Sequence, residues 1–473
     1  WFSSALLRNS IKRVGELYKN AGYAYVNPIP NTRIDDETLR VSLSLDIDKG
    51  KKVRIRRIEV VGNHRTRDKV IRREMRLYEG EYFSSRGLRR SERFITRLGY
   101  FEPNGVQIRT VRGPTDDTMD IVVEVKEKPT GTFQVGAGFS SLESFMAQAQ
   151  VAQNNLFGHG KTLSLQATLS SLRSTANLQY QDQYFLDSKV QFATNIYRFE
   201  TNYESFINRR SGGSLTLGHP LGDDWRISST YTLEMAEITA GGYGESAQAT
   251  NRLASFYAGG LTSSLRLSLT YDTRNNRLFP TDGSYLTASA EHADSFLGSE
   301  NLFSRYRWRG RWYQSIGHGI VARLNTNYGV VVSPEPSGVP IYERFFVGGP
   351  LTVRGFQRHT LGPELDVIQG DLPDGPTRAI NIGGNEQLIF NVELEYPLLQ
   401  RVGIRGVFFI DSGNSFDRYD PWDEKLESLR YSWGFGVRWF SPIGPLRFEW
   451  GFPFDPREGE DSSVFDFSIG NFF

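Results

Sequence analysis

Six histidines, His64, His159, His219, His292, His318 and His359, are the side chains best suited to proton transfer or metal binding near neutral pH. They are scattered along the chain, with no ligand spacing and no nucleophile elbow, so neither a catalytic residue nor a metal site is expected. The 473 residues include no cysteine, which excludes thiol catalysis, disulfides and thiolate-held zinc or iron–sulfur centres. Gly136-Ala137-Gly138 and Gly348-Gly349 lack the lysine and the strand-to-helix setting of a phosphate loop, so no cofactor is expected. Arginines are dense from 51 to 97, among them Arg54, Arg56, Arg57, Arg72, Arg73, Arg89 and Arg90, with Glu74, Glu79 and Glu92 interleaved. Such a run suits anionic lipid, an acidic partner or a solvated helical face. Aromatic rings do not alternate with the arginines as base stacking requires, so no nucleic acid is expected as a partner. On this chemistry no enzyme is expected.

Charge divides the chain. Residues 1–128 hold 27 basic against 18 acidic side chains, and the remainder 28 against 36, which hides behind a net charge of +1. The basic part contains a repeat. Ile11, Leu17, Tyr18 and Ala21 have helical spacing and run into Gly22-Tyr23; Leu88, Phe94, Ile95 and Leu98 do so into Gly99-Tyr100. An alternating strand follows each: Val41, Leu43, Leu45 in one, Ile121, Val123, Val125 in the other. The second copy adds a strand at 53–61, a Gly62-Asn63 turn and a helix over about 66–75. The expected organisation is therefore the C-terminal part of one unit at 1–50, a complete β-α-α-β-β unit at 51–128, and a third region at 129–473. The abrupt start at Trp1 leads to the expectation of further units upstream.

Beyond Pro129 the period becomes 2. Leu163 to Leu169, Leu265 to Tyr271, and the spans 320–330, 388–396, 404–410, 431–439 and 446–452 alternate apolar with polar residues. Tyr306, Trp308, Gly310 and Trp312 alternate with Arg305, Arg307, Arg309 and Arg311. A soluble sandwich has little use for so many rings on one face and four arginines on the other. A barrel with lipid outside and a wet lumen accepts both. No apolar run is long enough for a spanning helix, and a mean hydropathy of −0.42 averages the two rows. A spanning strand with its connection takes about 20 residues, so 129–473 is expected to form an all-β transmembrane barrel of about 16 antiparallel strands, preceded by α+β repeats. Between about 331 and 387 the alternation lapses, and a lapse that long is usually functional.

Within that lapse stand Tyr342-Glu343-Arg344-Phe345-Phe346-Val347-Gly348-Gly349 and Val353-Arg354-Gly355-Phe356. Together with Asn154-Asn155-Leu156-Phe157-Gly158-His159-Gly160, Phe279-Pro280-Thr281-Asp282-Gly283 and the hairpin sequence at 439–448, these motifs resemble the family of outer-membrane barrels that assemble other barrels, within a wider superfamily of assembly and translocation barrels. The repeats resemble its polypeptide-transport-associated (POTRA) units. The resemblance covers the whole chain. It implies that the 331–387 loop enters the lumen and that Arg354 pairs with carboxylates on later strands. Parity places the candidates: the apolar face is even-numbered in 388–396 and in 404–410, so Glu393 and Asp411 point inward. A direct pair further predicts that exchanging the charges of Arg354 and Asp411 restores what either single change removes.

The resemblance also implies a function: an insertase whose repeats, in the periplasm, receive unfolded β-barrel clients, and whose barrel, in the bacterial outer membrane, opens between its first and last strands. Accessory lipoproteins and outer-membrane lipid are the other implied partners. Gly136, Gly138, Gly470 and Asn471 are poor strand formers at that seam, and Phe473 continues the alternating row of Phe465, Phe467 and Ile469. The alternatives are a two-partner-type secretion transporter and a passive porin.

Overall fold

The computed structural model describes residues 3–35, 37, 40–203, 206–240, 259–277, 279–336, 338–368, 377–441 and 444–470. It divides into two units, Trp1–Thr132 with Gln153–Thr162, and Phe133–Ala152 with Leu163–Phe473.

In the first unit a helix Ser4–Asn20 is followed by the antiparallel pair Asn27–Asp35 and Arg40–Asp48. The complete repeat then runs strand Arg54–Val61, helix Asp68–Arg72, helix Ser85–Arg97, strand Phe101–Arg112 and strand Thr118–Glu127. The last of these is central, parallel to the first and antiparallel to the fourth element. Its alternation buries Met119, Ile121, Val123 and Val125 beneath the helices. The longer helix forms because Ser84 caps it, accepting from Gly87 N at 3.2 Å, and because Gly87, Ser91 and Ile95 recur on one face. The shorter helix is half the length expected over 66–75. Its entry is held open because the Thr66 N–H donates to Glu127 at 2.6 Å, and the chain leaves it through turns at Arg73 and Met75. Partial burial raises the Glu127 pKa, but Thr66 and the Arg65 N–H, at 2.8 Å, outweigh that and hold the carboxyl below the usual range. Several of the arginines in the basic run are in ion pairs, including Arg56 with Asp120, Arg72 with Asp68, and Arg89 with Glu16 at 2.8 Å. The two repeats are also joined by hydrogen bonds, Val53 N donating to Gly22 O at 2.8 Å and Arg86 N to the Asn20 side-chain Oδ1 at 2.8 Å.

The second unit is a closed antiparallel barrel of 16 strands, from Gly131–Ser140 to Val464–Ile469. Closure pairs the backbone polar groups that hydrocarbon cannot satisfy. Parity sorts the side chains as expected. Tyr306, Trp308 and Trp312 are outward and exposed, while Arg305 is 7% exposed. Phe390, Val392 and Leu394 face out from one strand and Phe408 and Ile410 from another, while Asp411 is fully buried. The lapse in alternation occupies 333–385, between strands Ile320–Val332 and Glu386–Leu399. It is not strandless, as the sequence suggested. Glu364–Ile368 and Thr377–Asn381 pair as a small ribbon, each too short to register as a periodic segment.

Candidate functional site

Arg354 reaches the barrel wall from the tip of this loop. Its guanidinium grips Asp411 with two parallel bonds, Nε to Oδ2 and Nη2 to Oδ1, both 2.7 Å, and its backbone N–H donates to Oδ2 at 3.1 Å. Nη1 donates to Glu393 at 2.6 Å and to Glu449 at 3.1 Å. The guanidinium carbon Cζ lies 3.5 Å from the centre of the Phe409 ring. Glu449 was not singled out from sequence, nor was Arg438, which donates to Glu393 at 3.0 Å and to Glu449 at 2.8 Å. Arg447 completes the cluster, on Glu449 at 2.5 Å and on the Pro350 carbonyl at 3.3 Å. With Arg354, Asp411 and Glu449 all at 4% exposure or less, each charge has been removed from water and depends on its partners. Forked guanidinium–carboxylate geometry supplies those partners and also fixes direction.

The wall beneath the tip is carved out by missing side chains. Gly355 has φ +87°, the left-handed turn that aims Arg354 down. A Cβ on Gly451, in strand Gly444–Pro453, would sit 2.4 Å from Gly355 N. Across the ladder, Gly434 leaves room for the Phe409 ring. Val353 and Phe356, both buried, flank the tip; Val353 packs with Val347, Leu361 and Ile389.

The other end of the loop is held with opposite polarity. Glu343, 5% exposed, pairs with Arg305 and lies 3.3 Å from Arg210, which also donates to the Tyr342 carbonyl at 2.7 Å. The motif that contains Glu343 carries no sequence signal for this role. The loop therefore sends a cation to a carboxylate-bearing part of the wall and an anion to an arginine-bearing part. Glu343→Gln is expected to cost less than loss of Arg354, about 1–2 kcal/mol, because Arg305 and Arg210 keep Glu291 and Glu234 as partners. Thermal loss of the compact band in electrophoresis would measure it.

Among the described residues, the seam is the shortest ladder of the barrel. Among the described residues the first and last strands share two ladder pairs, Ser140 with Ser468 and Phe139 with Ile469. Around them Ser141 N donates to Phe467 O at 3.0 Å, and the Phe139 and Phe467 rings stack at 5.7 Å. By contrast, Phe206–Pro220 and Trp225–Ala240 are aligned over the full length of the former. Residues 133–138 have no ladder partner on the seam side among the described residues. Gly136 and Gly138 do not interrupt the first strand, which runs through both. Gly470 lies just past the last strand, where the chain adopts φ +115°. Asn471 and Phe473 lie outside the described residues.

These features have counterparts in known proteins. A family model described as the Omp85 superfamily domain matches residues 155–473, and the POTRA model, described as a surface antigen variable number repeat, matches 53–128. The outer membrane protein assembly factor BamA of Nitratidesulfovibrio vulgaris is 29% identical over 479 aligned positions, covering 100% of this chain and 58% of that protein. Its counterpart in Neisseria meningitidis serogroup B is 26% identical, covering 100% of this chain and 63% of that protein. The chain thus spans less than two thirds of the length of these curated relatives. The crystal structure of BamA from Haemophilus ducreyi lacking POTRA domains 1-3 superposes with a TM-score of 0.81 at 23% identity, covering 99% of this chain and 94% of that one, so the fold is shared. With the family model spanning fourteen of the sixteen barrel strands, the inserted loop and both clusters that hold it, the chain belongs to the Omp85 superfamily.

Proposed function

We propose that this chain forms the barrel and adjoining periplasmic repeats of an insertase that folds other β-barrel proteins into the outer membrane. The observation that carries the reading is the seam, which holds two ladder pairs among the described residues. A short ladder separates more easily than a long one, and its separation exposes strand edges to which a client strand can add. Among the described residues, 133–138 of the first strand have no ladder partner on that side. The clamped loop supports this reading over a passive porin, since it occupies lumen that a porin keeps open. Unfolded barrel proteins are the clients on this reading, with accessory lipoproteins and outer-membrane lipid as further partners. No catalytic residue or cofactor is required, because folding of the client supplies the driving force.

The absence of cysteine makes the test clean. Ser140→Cys with Ser468→Cys places two thiols on paired positions of the seam. Reconstituted in liposomes and oxidised, this variant is expected to fold an unfolded porin no faster than protein-free liposomes, and reduction restores the rate. Undiminished folding by the oxidised protein overturns the seam mechanism and favours passage through the lumen, the route of a secretion transporter.

A further inference from the structure

Strand Phe303–Gly317 carries arginine at every second position from 305 to 311, on the face opposite its outward rings. Among the described residues, Arg305 alone of the four is in ion pairs, with Glu291 and Glu343. Arg307, Arg309 and Arg311 form no ion pair among the described residues; Arg307 lies over the Phe345 ring at 5.4 Å. Register explains this. On one flank the three face Ser289, Thr287 and Tyr285, and on the other Gly329, Asn327 and Asn325. A carboxylate at any of these six positions would quench a rung, and none is present. Arg311 borders a lumen cavity of about 770 Å³ and Arg307 another of about 560 Å³. The larger is also lined by Arg274, Arg323 and Arg447, while its carboxylates Glu393 and Glu395 are already engaged by Arg354, Arg438, Arg323 and Arg405. Like charges about 6.8 Å apart along a strand repel, and water screens them less in a confined lumen than in bulk.

We propose that this arginine ladder is a binding site for an extended acidic polypeptide segment with carboxylates at alternate positions. An extended chain places same-face side chains about 6.8 Å apart, which is the repeat of the ladder. Each guanidinium can take one carboxylate through forked hydrogen bonds. Ser289, Thr287, Asn325 and Asn327 supply neutral donors and acceptors beside them. Rows of this kind occur in barrels: strand Glu386–Leu399 of this chain bears Glu393 and Glu395 two residues apart on its inner face. That the segment is an inward-facing row of a client strand rests on the insertase reading; the binding itself does not.

The test uses the whole chain in detergent micelles and a fluorescently labelled peptide of alternating Asp and Thr, read by anisotropy. The alternating peptide is expected to bind more tightly than an isomer of the same composition with its aspartates contiguous. The triple variant Arg307→Gln, Arg309→Gln, Arg311→Gln is expected to bind it about tenfold more weakly. The variant removes repulsion and should retain the compact heat-modifiable band; Arg198→Gln, on an exposed outward position, should leave binding unchanged. Unchanged peptide binding by a folded triple variant overturns the proposal. So does equal binding of the contiguous isomer, or displacement by pyrophosphate at matched charge, either of which makes the ladder an unspecific anion sink. Because client insertion is not the readout, loss of this site and loss of the seam mechanism are separately visible.

Discussion

Replacing Arg354 with alanine is expected to destabilise the folded barrel by about 3–5 kcal/mol and to free the loop from its wall. The size follows from what is left behind. Asp411 and Glu449, at 0% and 1% exposure, lose their bonds from Arg354, and Glu393 loses one of its two arginines. Removing one member of a buried set costs more than the set ever contributed, because the partners stay desolvated. Lysine at 354 should recover little, since one ammonium cannot reproduce the parallel bonds to Asp411 while reaching Glu393. The structure also revises the charge-exchange expectation. Arg354→Asp with Asp411→Arg would set a carboxylate against Glu393 and Glu449, so the exchange should restore little. Adding Glu449→Gln to the exchange should recover part of the loss. Thermal conversion of the compact band measures stability, and protease cleavage within 344–362 measures loop release. A variant as heat-resistant and protease-resistant as the parent would mean that Arg354 does not anchor the loop.

What could be read in advance was direction, not height. A period of 2 says which row of each strand faces the lumen, and that placed Glu393 and Asp411 inside. The same parity was available for Glu449, opposite Leu446, Phe448 and Trp450, and for Arg438, opposite Tyr431, Trp433 and Phe435. They were not singled out because alternation gives no stagger between strands. Only the register, which pairs Arg438 with Arg447 and Glu393 with Phe409, brings these rungs level with the loop tip. Glu343 was opaque for a related reason. Its partners, Arg210 and Arg305, lie on two strands that are not neighbours, and both are distant from it in sequence. The complete repeat was legible as elements, since its central strand alternates and its long helix has both a cap and a face. Its short helix was overextended because the Glu127 contact that fixes its entry spans 61 residues, beyond any local pattern.

Gly451→Val is expected to unseat the loop about as effectively as loss of Arg354, at about 3 kcal/mol or more, while touching no charge. The nearest atoms to a Cβ there all belong to the loop tip, Gly355 N at 2.4 Å, Gly355 Cα at 2.6 Å and Arg354 C at 3.0 Å. They are backbone atoms, which cannot swing aside as the end of a side chain can. If the tip lifts to make room, Arg354 leaves the 2.7 Å bonds to Asp411, so a steric change is converted into an electrostatic one. The sign should reverse when the tip is absent. In a strand, glycine is less stable than a residue with a side chain by about 0.5–1 kcal/mol. With residues 350–360 replaced by a short Gly-Ser linker, the same substitution should therefore be neutral or slightly stabilising. This double-mutant cycle separates the two explanations of a glycine in a barrel strand. Destabilisation that persists without the tip would assign Gly451 to the strand itself, whereas destabilisation that vanishes assigns it to the recess that seats Arg354.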